Sequence, residues 1–171
     1  QVQFHIHSAI ADDIKERLEK GTLDIGLLTE PVDIGKYEFI RMPLKERWGI
    51  LVQKDSRLAS KSTIRPEDLL KIPLLMVKRE IVKNELASWF GDYYDKIRIA
   101  ATYNLIINAA TMVRSGVGVA LCFDFEMNFY DDLCFIPLEP CLETGSVLVW
   151  KKNQMMSTVV SRFLSHIRNA I

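Results

Sequence analysis

Apolar and polar residues alternate from Val2 to His7, with Val2, Phe4 and Ile6 on one side and Gln3, His5 and His7 on the other. Period two predicts a strand with one wetter face. Ser8 then stands before a run in which Ile10, Ile14 and Leu18 recur at four-residue spacing, with Asp12 and Asp13 where the first turn of a helix favours anions. Gly21 stops that helix, and residues 23–28 read as a short buried strand. Strand, helix and strand in this order predict a parallel β-α-β unit.

The pattern continues to the end of the chain. Strands are predicted over 37–43, 46–53, 73–77, 97–103, 119–123, 133–136 and 145–151, and helices over 82–90, 104–115 and from Ser157 onward. Arg65-Pro66-Glu67-Asp68 opens a short helical turn, since proline is tolerated at a helix start. Asn104 stands where it would cap its helix, and Gly116 and Gly118 mark a tight turn into the next strand. Alternation throughout predicts an α/β protein with open parallel sheets. Two long strands, 46–53 and 145–151, bracket a central block with its own alternation. If the chain leaves one lobe through the first and returns through the second, residues 1–46 plus 150–171 form a proximal lobe and 47–149 a distal lobe. Ligands of open α/β folds bind at the carboxyl ends of strands.

Composition changes this picture little. Hydrophobic residues make up 49% and charged residues 26% of the 171 residues, ordinary for a globular protein. Lys plus Arg equals Asp plus Glu, 22 against 22, so the basic excess of a nucleic-acid-binding module is missing and the chain is not expected to bind DNA unaided. The three cysteines, Cys122, Cys134 and Cys141, lack CxxC spacing and read as buried thiols in a reducing cytoplasm. No apolar run reaches the ~18 residues of a membrane span. The start has no signal-peptide character.

Several stretches resemble one family. Gly21-Thr-Leu-Asp-Ile-Gly-Leu-Leu is similar to the strand entry common in LysR-type regulators. Arg57-Leu58-Ala59 with Ile64, Glu67-Asp68-Leu69 and Ile72-Pro73-Leu74 resembles their next block, and residues 109–120 resemble the helix-turn-strand of their distal lobe. Phe135-Ile-Pro-Leu-Glu-Pro and Phe163-Leu164 also fit. The resemblance implies two Rossmann-like lobes of the type 2 periplasmic-binding-protein kind, joined by two crossing strands. It implies a small-molecule effector in the interlobe cleft, homodimers or homotetramers, and promoter DNA reached only through an N-terminal winged helix-turn-helix absent from this chain. It also implies that the first β-α unit of the proximal lobe is missing.

The candidate effector-binding residues follow from strand ends. Ser8 precedes a helix whose free N–H groups suit an anion, or is a plain cap. Thr29, before Glu30 and Pro31, is a cleft wall or part of a polar loop, the resemblance favouring the former. Lys78 and Arg79 follow the first strand of the central block and could hold a carboxylate or phosphate, or form a solvated cluster beside Glu80. Thr102, Tyr103 and Asn104 occupy the equivalent place one strand on; Tyr103 offers stacking or a hydrogen bond. Phe123 and Asp124 end the following strand and come last in this set. His5 and His7 share a face but lack a third ligand, so no metal is expected. Trp48, Trp89 and Trp150 read as core or hinge anchors. No nucleophile, Walker or zinc-protease motif occurs, and no cofactor or catalytic residue is expected.

The expected function is therefore that of a cytoplasmic effector-sensing and oligomerisation domain that binds a small anionic metabolite. A solute-binding protein of a transporter is the alternative on the same fold, and an enzyme on a similar two-lobed scaffold is a third.

Overall fold

A computed structural model describes residues 2–125 and 131–171, with Glu80 and Ile81 described in backbone only. In chain order the elements are α1 (Ala11–Glu19), β1 (Gly26–Thr29), β2 (Tyr37–Arg41), β3 (Glu46–Gln53), β4 (Pro73–Val77), α2 (Glu80–Phe90), β5 (Arg98–Tyr103), α3 (Ile106–Arg114), β6 (Val119–Phe123), β7 (Leu133–Pro137), β8 (Glu143–Thr144), β9 (Ser146–Lys151) and α4 (Thr158–Ala170). Short 3₁₀ turns cover Arg57–Ser60, Pro66–Leu69 and Gly91–Lys96. The chain divides into two compact units, residues 1–45 with 145–171 and residues 46–144. The sequence pattern puts the return crossing at 149/150. Instead β9 pairs with β1 and β2 along its length, which carries the division back to 144/145.

In the proximal unit β9 is the centre of a three-stranded sheet ordered β1-β9-β2. Its residues alternate between two apolar layers, as a pleated strand requires. Val147 and Val149 join Leu28 and Tyr37 against Ala11, Ile14 and Leu18 of α1. Leu148 and Trp150 turn the other way, against Leu164, Val160, Phe163 and Ile167 of α4. The last helix, expected from Ser157 onward, begins at Thr158 with Ser157 as its cap, the Ser157 hydroxyl accepting from the Val160 N–H at 3.3 Å.

Two expectations fail here. Residues 2–7 lie outside every strand, with Val2, Phe4 and Ile6 exposed. Alternation supplies a face but not a partner, and a strand needs hydrogen bonds to a neighbour. Without that strand no parallel β-α-β unit forms: both pairings of this sheet are antiparallel. The cap of α1 is Ile10, with no side-chain hydrogen bond, rather than Ser8.

The distal unit is built on a mixed six-stranded sheet, ordered β5-β4-β6-β3-β7 with β8 also paired to β3. The open parallel sheet expected from alternation is thus only partly present. β4 runs parallel to β5 and β6, and β3 runs antiparallel to β6, β7 and β8. One face buries Trp48, Ile50, Leu74, Met76 and Leu121 under Val82, Leu86 and Phe90 of α2. The other buries Leu51, Leu75, Ala120 and Cys122 under Ala109, Ala110 and Val113 of α3. Gly118 is required where β6 starts, because a Cβ there would sit 2.3 Å from the Pro73 carbonyl oxygen. The cap of α3 is Leu105, again without a side-chain bond, so Asn104 does not cap. Of the thiols only Cys122 is buried, its pKa pushed up to about 12 mainly by that burial, whereas Cys134 is half-buried and Cys141 exposed.

Candidate functional site

Because β4 is parallel to both neighbours, β4, β5 and β6 all end at one edge of the distal sheet. Val77 lies opposite Tyr103, so Lys78 and Asn104 come next at the same level. Leu75 lies opposite Ala120, and continuing that register by three residues brings Lys78 level with Phe123. Phe123 in turn lies opposite Trp48 on β3. Asn104, Lys78, Phe123 and Trp48 thus form one row across four adjacent strands.

Lys78 is exposed, and its backbone N–H donates to the Tyr103 carbonyl at 3.0 Å. Arg79 is the N-cap of α2 and is half-buried. This edge therefore gathers two cationic side chains with the positive end of a helix dipole. Thr102 and Asn104 are exposed at the end of β5. Tyr103 points the other way: it is 6% exposed, and its hydroxyl donates to the Leu121 carbonyl at 2.5 Å. Burial drives its pKa far above the ordinary tyrosine value. Its hydroxyl is committed to the core and its backbone to Lys78.

Residues the sequence did not single out stand behind this row. The Trp48 indole N–H donates to the Thr144 hydroxyl at 2.8 Å, and that hydroxyl donates to a Glu85 carboxylate oxygen at 3.3 Å. Thr144 is only 2% exposed. It closes β8 beside the start of β3, and Glu85 lies on α2, so one hydroxyl ties the helix to β3 and β8. Burial raises the Glu85 pKa, and the Thr144 hydrogen bond partly opposes that rise. Arg47 pairs with Asp124 at 3.4 Å, and the Asp124 N–H donates to the Arg47 carbonyl at 3.0 Å. The one clue in the sequence was Trp48, since a buried indole N–H needs a partner.

Ser8 and Thr29 belong to the proximal unit. Ser8 is exposed two residues ahead of the α1 cap. Thr29 ends β1 opposite Ser146, at the end of the proximal sheet where β9 begins. Next to it the Glu30 N–H donates to the Gly145 carbonyl at 2.9 Å, and Arg41 pairs with the Glu30 carboxylate at 3.3 Å. A Cβ on residue 145 would meet that carboxylate at 2.6 Å, so a larger residue there would displace the Glu30 side chain.

One open depression of about 510 Å³ lies elsewhere on the distal unit, around Lys61, Thr63, Arg65, Asp68 and Glu139. Its charges already answer each other: Lys61 pairs with Asp68 at 2.8 Å and Arg65 with Glu139 at 3.1 Å. The Thr63 hydroxyl and then Arg65 hold the Glu139 carboxyl below its usual range. The strand-end row lies apart from this depression, with Lys78 exposed and Arg79 at the start of α2. Among the described residues no group of three or more His, Cys, Asp and Glu side chains could hold a metal, and His5 and His7 are exposed outside any strand. No helix among them is long and apolar enough to cross a membrane.

Parallel strand ends beside a helix start are where open α/β folds gather ligand-binding groups. The chain matches the family model described as the LysR substrate binding domain over residues 1–171, and it belongs to that family. It is similar to an HTH-type transcriptional regulator, YvbU of Bacillus subtilis, with 23% identity over 128 residues, 75% of this chain and 42% of that protein. The chain thus spans less than half the length of this relative. Among solved structures it resembles HinK, a LysR family transcriptional regulator from Pseudomonas aeruginosa, with a TM-score of 0.79, 18% identity, and coverage of 96% of this chain and 59% of that one. It also resembles the effector binding domain of QuiR in complex with shikimate, with a TM-score of 0.79, 14% identity, and coverage of 91% and 75%. These likenesses establish the fold, a mixed α/β domain of the LysR substrate-binding kind, and do not favour the transporter reading.

Proposed function

We propose that this chain is the effector-sensing and oligomerisation domain of a cytoplasmic LysR-type transcriptional regulator and that its effector is a small anionic metabolite. The observation that carries this is the meeting of Lys78 and Arg79 with the start of α2 in one row with the ends of β5 and β6. Thr102 and Asn104 supply exposed polar groups beside the cations, Phe123 an apolar wall, and Tyr103 a fixed post that holds the Lys78 backbone. On the proximal unit, Ser8 and Thr29 are the corresponding candidates. The complex of the QuiR effector binding domain with shikimate supports an acid as the ligand class. Binding works as a switch only through different affinity for two states of the protein. In the intact regulator, a homodimer or homotetramer, the readout is the spacing of DNA-binding domains that this chain does not include.

Thermal-shift screening of the intact protein against organic acids, amino acids and neutral metabolites tests the reading. Carboxylates are expected to stabilise it, by about 2.7 kcal/mol at a hundredfold excess over Kd. Lys78→Met is expected to weaken the best acid about tenfold or more, the loss of one charge-assisted hydrogen bond. Stabilisation by neutral or cationic compounds alone overturns the proposal.

A further inference from the structure

Phe123 is the middle member of an aromatic series. Its ring packs on the Trp48 indole at a centroid separation of 4.3 Å and an angle of 54°, and it meets Phe125 edge-on at 6.1 Å. Trp48 is 1% exposed, Phe123 is half-buried and Phe125 is 47% exposed, so the rings lead from the core to the surface at the edge where β4, β5 and β6 end. The innermost ring is fixed by the Thr144 hydroxyl, which is itself bonded to Glu85. Phe123 packs on the same apolar layer as Val82, in the first turn of α2.

An anionic aliphatic acid would need the cations and little else. Here a backed phenyl ring stands one strand, about 4.8 Å, from the cationic end of β4. That spacing suits a planar acid whose carboxylate meets Lys78 or Arg79 while its ring lies against Phe123. Aromatic pairs in offset or edge-to-face geometry gain beyond simple burial, and a preorganised partner loses little freedom on binding. We propose that Phe123, steadied by Trp48, is a specificity-determining residue that selects an aromatic carboxylate over other acids of equal charge. This inference rests on the reading of the strand ends as the effector site.

Calorimetric titration of the intact protein with benzoate, cyclohexanecarboxylate and succinate separates the two. Benzoate and cyclohexanecarboxylate share charge and similar bulk, so a preference of about threefold to tenfold for benzoate is expected from ring-on-ring contact. Phe123→Leu is expected to abolish that preference by weakening benzoate more than cyclohexanecarboxylate, and Phe123→Tyr to retain it. Should Phe123→Leu fail to fold, Phe125→Leu, at an exposed position, is expected to reduce the same preference. Equal affinity for the two ring acids, or equal weakening of both in Phe123→Leu, overturns the inference. Binding of succinate alone overturns it too but leaves the anionic-effector reading standing. If none of the three binds while other acids stabilise the protein, only the inference falls; if no acid does, both fall.

Discussion

The two units surround their sheets with different numbers of strands. In the distal unit β4, β6 and β3 each have a neighbour on both sides, and α2 and α3 cover opposite faces. In the proximal unit only β9 has two neighbours, while β1 and β2 are both edges. Leu27 and Phe39 on those edges are 61% and 42% exposed, and the apolar side chains of residues 2–6 are exposed as well. An apolar residue on an unpaired edge contributes little to the core it flanks. The distal unit therefore carries the larger self-sufficient core, and the proximal one depends on α1 and α4 clamping a narrow sheet.

The largest expected effect that sharpens this contrast is at Thr144. Thr144→Val strands a buried indole N–H and is expected to cost the distal unit about 1–3 kcal/mol. Hydrogen exchange should rise in α2 and β3 while α4 is unchanged. Equal loosening of both units would break the distinction. Next is Ser157→Ala, which removes the cap of α4 and is expected to cost about 1 kcal/mol, with exchange rising in α4 alone. The smallest concerns Glu85. Its folded pKa is raised, so the folded state holds the proton more tightly than the unfolded one, and its contribution to stability is lost as pH rises from the ordinary glutamate range through the folded value. Glu85→Gln is expected to flatten the pH dependence of distal unfolding over that window and leave the proximal transition as it was. An unchanged slope would show that the carboxyl is not desolvated.

What could be read from the sequence follows the same division. Buried runs such as Ile50-Leu51-Val52 and Leu74-Leu75-Met76 are apolar on both faces, so they stand out as strands without knowledge of their partners. Residues 2–7 have as clear a pattern, but a strand's existence depends on what pairs with it, and no pattern within the segment says that. The start of α4 was legible at Ser157 because the apolar stripe of the helix begins just beyond it. The starts of α1 and α3 were not legible at Ser8 and Asn104, because their caps, Ile10 and Leu105, are apolar and make no side-chain hydrogen bond. That Thr29, Lys78, Thr102, Tyr103, Asn104 and Phe123 stand at strand ends was legible, because each lies in or next to its strand in sequence. The Trp48–Thr144 hydrogen bond joins residues 96 positions apart and leaves no local trace.

The row of Asn104, Lys78, Phe123 and Trp48 also sets a length scale. Each residue stands on its own strand, and strands repeat about every 4.8 Å, so backbone spacing rather than side-chain reach sets the distances along this edge. From Lys78 to Phe123 is about one repeat and from Asn104 to Phe123 about two, roughly 10 Å. A single-ring acid covers one interval. A ligand that engages Asn104 as well must carry a second polar group at its far end, and the sheet acts as a ruler that tells the two apart.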